Sequence, residues 1–209
     1  MNASPLMLAA LVVLPSAAAA QSALSGDPRE FATVDEEIRL ARSAAPAHVS
    51  DRATVLVLQH GRYVMGAEGS NDVTCLVARS RPGSVEPICY DAEATRSIMQ
   101  IEIRRNELRF AGTPSDEVDR AVAEAIGNAT LPLPRRPALA YMMSSEQVLV
   151  SDDGRNVGQW MPHLMLYIPY LTSADLGQCG PASLEAAAVF DEGKPTAHMV
   201  VAVLAFVDP

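Results

Sequence analysis

The chain has 209 residues and a formal net charge of −9, and its apolar fraction is ordinary for a globular protein. This length fits one domain and is sufficient to bury a proper core. Because an acidic chain is repelled by phosphate backbones, the charge balance argues against nucleic acid as a partner.

The first twenty residues predict export. An uncharged apolar run at 6–14 is followed by Pro15, Ser16 and four alanines, which is typical of a secretory signal peptide cut after Ala20. A retained membrane anchor is the alternative, but the apolar run is shorter than the roughly 20 residues that a spanning helix needs. The segment departs from the usual pattern because it lacks Lys and Arg. We expect a periplasmic or secreted protein with no transmembrane segment after cleavage.

The rest of the chain divides into a short leader and one domain. Residues 21–30 are polar and contain Gly and Pro, so we expect a flexible leader, followed by a single domain at 31–209. Thr33 is the predicted N-cap of a first helix at 34–44, whose first turn is acidic and which Pro46 ends.

Strand patterns fill the next stretch. Residues 54–58 form a continuous β-branched apolar run, 63–65 continue after a turn, and two more strands surround residues 81–83. We expect these four strands to form a meander.

Cys75 and Cys89 are predicted to form a disulfide bond. A three-residue loop at 81–83, with Gly83 in the left-handed position, places Val77 opposite Pro87 and Cys75 opposite Cys89. Direct cross-strand opposition brings two Cβ atoms near bonding range, and an exported protein matures in an oxidising compartment. Two buried free thiols are the alternative. Cys179 is left over, and its role stays open between a free thiol, an intermolecular partner and disulfide exchange.

The middle of the chain is helical by composition. Good helix formers at 92–110 predict one helix, and apolar residues at helical spacing predict another at 115–127, capped by Ser115. Arg104, Arg105 and Arg109 form a local basic cluster, which we interpret as a solvated helix face. The proline-rich segment 131–137 predicts an extended linker.

The last part returns to strands. We predict strands at 139–143, 148–150, 157–160, 163–170 and 199–206, with a turn at 152–154 and a short helix or loop at 182–188. Strands, then helices, then strands predict an α+β fold, with a mostly antiparallel sheet, a central helical pair and an N-terminal helix.

A soft-metal site is one candidate for the chemistry. Residues two apart on a strand share a face, so Met161, His163 and Met165 would line up. Thioether and imidazole ligands suit copper. Packing of these side chains in the core is the alternative, because methionine commonly fills irregular cores.

A hydrolase-type site is a second candidate. Ser144, Ser145 and Glu146 together with His163 and His198 could supply a nucleophile, a base and a carboxylate that orients the base. A turn after a strand is the alternative explanation of the serines. None of the common phosphate-binding, zinc-protease or nucleophile-elbow motifs is present in the sequence.

Several stretches of the chain resemble a family of uncharacterised secreted bacterial proteins. They are SAAPAHVS at 43–50, GSNDVTCLVAR at 69–79, EPICYDAE at 86–93, YMMSSE at 141–146 and PHLMLYIPYLTSADLG at 162–177. The resemblance implies export and a single domain, and it implies no activity, cofactor or site residue.

The sequence therefore favours a non-catalytic binding or structural module whose ligand or protein partner is unknown. The alternatives are an extracytoplasmic hydrolase with candidate residues Glu146, His163 and His198, and a copper-binding protein that uses Met161, His163 and Met165. Whether the protein needs a cofactor stays unknown.

Overall fold

The computed structural model describes residues 31, 33–81, 83–151, 155–178 and 187–208. Some predictions fall outside these residues and concern the export segment and leader at 1–30, Pro82, the turn at 152–154, Cys179 and most of the segment at 182–188.

The α-helices of the described residues form two groups along the chain, one before the first strand and one in the middle. They are α1 (Val34–Arg42), α2 (Ala47–Ser50), α3 (Ala92–Arg96), α4 (Ile98–Phe110) and α5 (Ser115–Gly127). The Thr33 side chain accepts a hydrogen bond from the Glu36 backbone N–H at 3.1 Å, which confirms the predicted N-cap of α1. Pro114, rather than Ser115, occupies the N-cap position of α5. No helix in the described part of the chain is long and apolar enough to cross a membrane.

The described strands lie between the two groups of helices and after the second group. They are β1 (Thr54–Gln59), β2 (Arg62–Ala67), β3 (Thr74–Ala78), β4 (Glu86–Tyr90), β5 (Ala138–Met142), β6 (Leu149–Val150), β7 (Asn156–Gly158), β8 (His163–Tyr167), β9 (Ala188–Phe190) and β10 (His198–Ala202). Eight of them form one sheet in the order β2-β1-β3-β4-β5-β8-β10-β9, and β6 pairs with β7. The fold is thus mixed α and β with a mostly antiparallel sheet, as predicted.

The first four strands do not form the predicted meander. β1 lies between β2 and β3, and it pairs with β3 in parallel. The connection from β2 returns across the start of β1, where Thr54 N–H donates to the Val73 carbonyl at 2.9 Å. A Cβ added at Gly69 would lie 2.1 Å from the Thr54 nitrogen, so this close crossing needs glycine.

Two predicted boundaries differ because the backbone bends. The predicted helix at 92–110 is two helices, since Ser97 has non-helical dihedral angles (φ −128°, ψ −86°) and its hydroxyl donates to the Glu93 carbonyl at 2.6 Å. The strand predicted at 163–170 ends at Tyr167, and Tyr170 has a positive φ of 66°.

Towards the C-terminus, the strand predicted at 199–206 is β10, which begins at His198 and ends at Ala202. Residues 188–190 form a strand, β9, and only its first residue, Ala188, belongs to the segment 182–188 that was predicted as a short helix or loop.

The two faces of the sheet carry separate apolar clusters. α1 covers one face over β1, β3 and β4, and α3 to α5 contribute to a larger cluster on the other face. Successive side chains of β3 point to opposite faces of the sheet, so this strand contributes to both clusters. Cys75 and Val77 belong to the first cluster, and Leu76 and Ala78 belong to the second.

The hairpin of β3 and β4 has the predicted register. Cys75 lies opposite Cys89 and Val77 opposite Pro87. The two cysteine sulfurs are at disulfide-bonding distance, which agrees with the predicted pairing. Closing a loop of this length stabilises the folded chain by roughly 3 kcal/mol on the chain-entropy model.

A buried ion pair joins α1 to the sheet. Glu37 of α1 and Arg79, which follows β3, have side chains only 3% and 4% exposed, and their charged groups lie 2.9 Å apart. The Glu37 carboxylate also accepts from the Leu58 backbone N–H at 3.1 Å, and the Arg79 guanidinium donates to the Val77 carbonyl. Arg79 additionally lies 5.0 Å from the centre of the Phe31 ring.

We expect the substitution Arg79→Met to lower the free energy of unfolding by about 3–5 kcal/mol, because it leaves the Glu37 carboxylate buried without its cation. The double substitution Glu37→Met with Arg79→Met should be more stable than Arg79→Met alone, since it removes both charges. Urea unfolding followed by circular dichroism measures both values. A double variant no more stable than Arg79→Met would contradict this account.

Candidate functional site

A cavity of about 720 Å³ opens where the second face of the sheet meets the β6–β7 hairpin. The sheet contributes alternate residues of β5, β8, β9 and β10, the hairpin contributes apolar side chains, and the turn between β3 and β4 contributes polar ones. The lining residues are Ser80, Arg81, Glu86, Met142, Leu149, Val150, Ser151, Val157, Trp160, His163, Met165, Phe190, Asp191, His198 and Val200.

Strand register explains why the sheet residues of the cavity lie together. His163 and Met165 are two apart on β8 and share a face, as predicted. Met165 pairs with Val200 of β10, and His198 pairs with both Tyr167 and Phe190. The same face of three neighbouring strands therefore points into the cavity region.

A row of rings forms one side of the cavity. The ring centres of His163 and Trp160 are 5.0 Å apart, and those of Trp160 and Phe190 are 6.0 Å apart in an edge-on arrangement. Phe190 stacks on His198 at 5.8 Å, and His198 lies 4.8 Å from Tyr167. These distances are typical of aromatic contacts, so the rings support one another. Trp160, Phe190 and both histidines line the cavity, whereas Tyr167 does not.

Each histidine is held by a backbone carbonyl two residues before it. Nδ1 of His163 lies 2.8 Å from the Met161 carbonyl, and Nδ1 of His198 lies 3.0 Å from the Thr196 carbonyl. A carbonyl oxygen only accepts, so Nδ1 carries the proton in each ring, and Nε2 of the neutral ring is a hydrogen-bond acceptor.

The neutral form is favoured in both rings. Burial lowers the pKa of His163, the hydrogen bond to the Met161 carbonyl opposes this effect, and the charge that His198 carries when protonated lowers the pKa further. Burial also lowers the pKa of His198. Among the described residues, the buried Nε2 atom of His163 has no hydrogen-bond partner. An unpaired acceptor in a buried position costs free energy, and a ligand that donates a hydrogen bond to it would remove that cost.

The two histidines lie at opposite ends of their strands. His163 pairs with Ala202, whereas His198 pairs with Tyr167. Four residues therefore separate their positions, or about 13 Å at about 3.3 Å per residue. His163 is one end of the ring row, and His198 lies towards the other end, between Phe190 and Tyr167.

Glu146 is not brought together with the histidines. Its carboxylate pairs with both terminal nitrogens of Arg39 in α1, at 2.9 and 3.2 Å, and it does not line the cavity. Ser144 is buried and accepts a hydrogen bond from the Ser43 hydroxyl at 2.6 Å. The residues of the predicted hydrolase site are thus divided between two regions.

The predicted metal ligands are partly brought together. His163 and Met165 line the cavity, whereas Met161 does not and offers its carbonyl to His163. The Met165 sulfur accepts a weak hydrogen bond from the Tyr167 hydroxyl at 3.5 Å. In the described ranges, no three or more His, Cys, Asp or Glu side chains are grouped so that they could hold a metal ion.

The polar rim of the cavity was not predicted. Glu86 is 8% exposed and accepts a hydrogen bond from the Ser80 hydroxyl. Burial raises the pKa of Glu86, although hydrogen bonds from Ser80 and Ser84 oppose this effect. Trp160 and Phe190 were also missed. The one sequence signal that could have drawn attention is that Trp160 is the sole tryptophan of the chain.

Comparisons with known proteins do not assign this site. No family model matches the chain, and neither a curated protein nor a solved structure matches it. The resemblance to secreted bacterial proteins therefore stays a prediction, and the function has to be argued from the cavity itself.

The buried histidine makes stability depend on pH. Because the folded pKa of His163 is below its ordinary value of about 6.5, the unfolded chain binds more protons as the pH falls through this range. The free energy of unfolding should therefore decrease between pH 7 and pH 5, by at most about 1.4 kcal/mol per pH unit for one group. His163→Asn should show a smaller decrease. Urea unfolding at several pH values measures this, and equal slopes for the two proteins would count against it.

Proposed function

We propose that this protein is an exported, non-catalytic binding module and that its cavity takes a small ligand with a flat aromatic portion. The observation that carries the proposal is the row of rings beside the cavity, in which the lining residue His163 also has an unpaired Nε2. A volume of about 720 Å³ lies within the range of about 300–1,000 Å³ of small-molecule sites.

The lining supports a ligand of mixed character. Leu149, Val150 and Val157 offer apolar contacts, and the rings offer stacking. The Nε2 atom of His163 favours a ligand with an O–H or N–H group, because neutral Nε2 accepts a hydrogen bond.

Two observations favour binding over hydrolysis. The Glu146 carboxylate is engaged by Arg39, and the Ser144 hydroxyl is bonded to Ser43, so neither is paired with a histidine. A nucleophile and its base need to lie within hydrogen-bond reach of each other. The volume of the cavity and its apolar and aromatic lining support the binding of a small molecule without catalysis.

Export of the protein is part of the same proposal. It is supported by the apolar run and alanines before residue 21, and by the disulfide-distance pair Cys75 and Cys89, since disulfides persist in oxidising compartments. We also place the mature chain in one α+β domain, with α1 as its N-terminal helix and α4 and α5 as a central pair.

Binding can be followed through Trp160, because this sole tryptophan lines the cavity. We expect phenol and 4-methylphenol to change its fluorescence, excited at 295 nm, in a saturable way. Val157→Phe should weaken this binding roughly tenfold, which corresponds to about 1.4 kcal/mol, because the larger side chain fills the rim of the cavity.

Val64→Phe is the matched control. Val64 and Val157 are both exposed strand valines, at 38% and 56%, but only Val157 lines the cavity. Val64→Phe should bind the phenols as the parent protein does. Failure of both phenols to bind at millimolar concentration, or equal effects of the two substitutions, would overturn the proposal.

Copper binding is a second candidate function, favoured by one specific arrangement. The Nδ1–H of His163 is fixed by a carbonyl, which leaves Nε2 as a ligand atom, and Met165 follows two residues later on the same face. Histidines that bind metals commonly donate their other ring N–H in this way, and thioether sulfur suits Cu(I).

Titration with Cu(I) tests the copper candidate. We expect stoichiometric uptake by the parent protein, and its loss in Met165→Leu, which removes the sulfur and keeps the volume. Met161→Leu should bind copper normally, because Met161 does not line the cavity. Absence of uptake by the parent protein would exclude the copper candidate and leave the organic ligand unaffected.

A further inference from the structure

A second cleft, of about 630 Å³, lies beside the aromatic cavity. It is bounded by α4, α5 and the segment 191–196, which follows β9. Its charged lining residues are Arg81, Arg105, Arg109, Glu102, Asp119, Asp191 and Lys194. Four basic groups thus face three acidic ones in a chain whose overall charge is strongly negative.

Arg105 and Arg109 are one turn apart on α4 and share a face. The prediction of a solvated helix face is wrong for Arg105, whose side chain is only 20% exposed. Arg104 is exposed, as predicted. In the described part of the chain, Nε of Arg105 and Nη1 of Arg109 are buried and have no hydrogen-bond acceptor.

Two of the three carboxylates already have basic partners within the cleft. Glu102 forms an ion pair with Arg105, and Asp191 forms one with Lys194 at 3.0 Å and accepts from the Thr196 hydroxyl at 2.9 Å. Burial lowers the pKa of Arg109, and the charges of Arg105 and Arg81 lower it further, whereas Glu102 and Asp119 act in the opposite direction. The positive charge of Arg109 is therefore repelled by those of Arg105 and Arg81.

The unpaired donors of Arg105 and Arg109 indicate that the cleft lacks a hydrogen-bond acceptor for them. Arginine stays charged under physiological conditions, and its planar group presents five N–H donors that match the oxygens of a carboxylate or phosphate. A buried donor without an acceptor is costly. An anion with several oxygens would satisfy both arginines and reduce their mutual repulsion.

The cleft and the aromatic cavity are neighbours with a common boundary. Ser80, Arg81 and Asp191 line both of them. The two spaces are therefore adjacent, and a ligand that extends past this boundary would place a ring among the aromatic side chains and a charged group beside α4.

We infer that the ligand of the cavity is an aromatic phosphomonoester, or a ring with an equivalent tetrahedral oxyanion, whose anionic group is bound by Arg105 and Arg109. This inference rests on the proposed function, because it assumes that the cavity holds the ring. It adds the chemical class of the ligand, which the rings alone do not specify.

Phenyl phosphate, phenol and inorganic phosphate are the probes that test the inference, with isothermal titration calorimetry and Trp160 fluorescence as the measurements. We expect the parent protein to bind phenyl phosphate at least tenfold more tightly than phenol. Inorganic phosphate should compete with phenyl phosphate and leave phenol binding unchanged. Raising the salt concentration should weaken the binding of phenyl phosphate and of inorganic phosphate and leave phenol binding unchanged.

The substitution Arg109→Gln should reduce the affinity for phenyl phosphate to that for phenol and leave phenol binding as it is. Arg104→Gln is the matched control, since Arg104 lies on the same helix but does not line the cleft. Arg105→Gln is a second test should Arg109→Gln fail to fold, as judged by circular dichroism.

The outcomes separate this inference from the proposed function. Equal affinities for phenol and phenyl phosphate, or equal effects of Arg109→Gln and Arg104→Gln, would overturn the oxyanion site and leave the aromatic cavity standing. Failure of both aromatic probes to bind would overturn the proposed function, and the inference with it.

Discussion

A buried carboxylate and a buried guanidinium meet between α1 and the first strands of the sheet. Glu37 accepts from Arg79 and from the backbone of Leu58, so one side chain ties a helix to β1 and to the end of β3. Charges removed from water need partners in a defined geometry, which fixes α1 over these strands. That face of the sheet is thereby closed by α1, and the cavity lies on the opposite face.

The cavity and the cleft share a boundary but differ in character. Rings and apolar side chains surround the first, and charged side chains of α4, α5 and the segment 191–196 surround the second. Arg81 stands between them, at the end of the hairpin that Cys75 and Cys89 join. The cross-linked hairpin therefore positions the turn that borders both spaces, and a local covalent constraint supports the site. An apolar compartment next to unpaired cationic donors favours a ligand with the same two parts.

Local features of the fold could be predicted from sequence, and distant ones could not. The opposition of Cys75 and Cys89 follows from a short turn, and the shared face of His163 and Met165 follows from the alternation of a strand. The parallel pairing of β1 with β3 depends on a close crossing at Gly69, for which sequence spacing gives no sign. Likewise, Phe190 meets Trp160 only because β9 is added to the sheet edge beside β10. Glu146 was grouped with the histidines by residue type, whereas Arg39, a long-range partner, engages its carboxylate.

The order of strands in the sheet also bears on how the chain reaches its folded state. β4 and β5 are neighbours, yet the segment 91–137, with α3, α4 and α5, lies between them in the chain. Their pairing has to close a long loop before it gains any ladder hydrogen bonds, and such non-local pairing slows folding. The hairpin of β3 and β4 closes over a short distance, so it can form early. The half of the sheet that carries His163 and His198 joins this hairpin only through that non-local pairing, and the cavity needs residues from both halves.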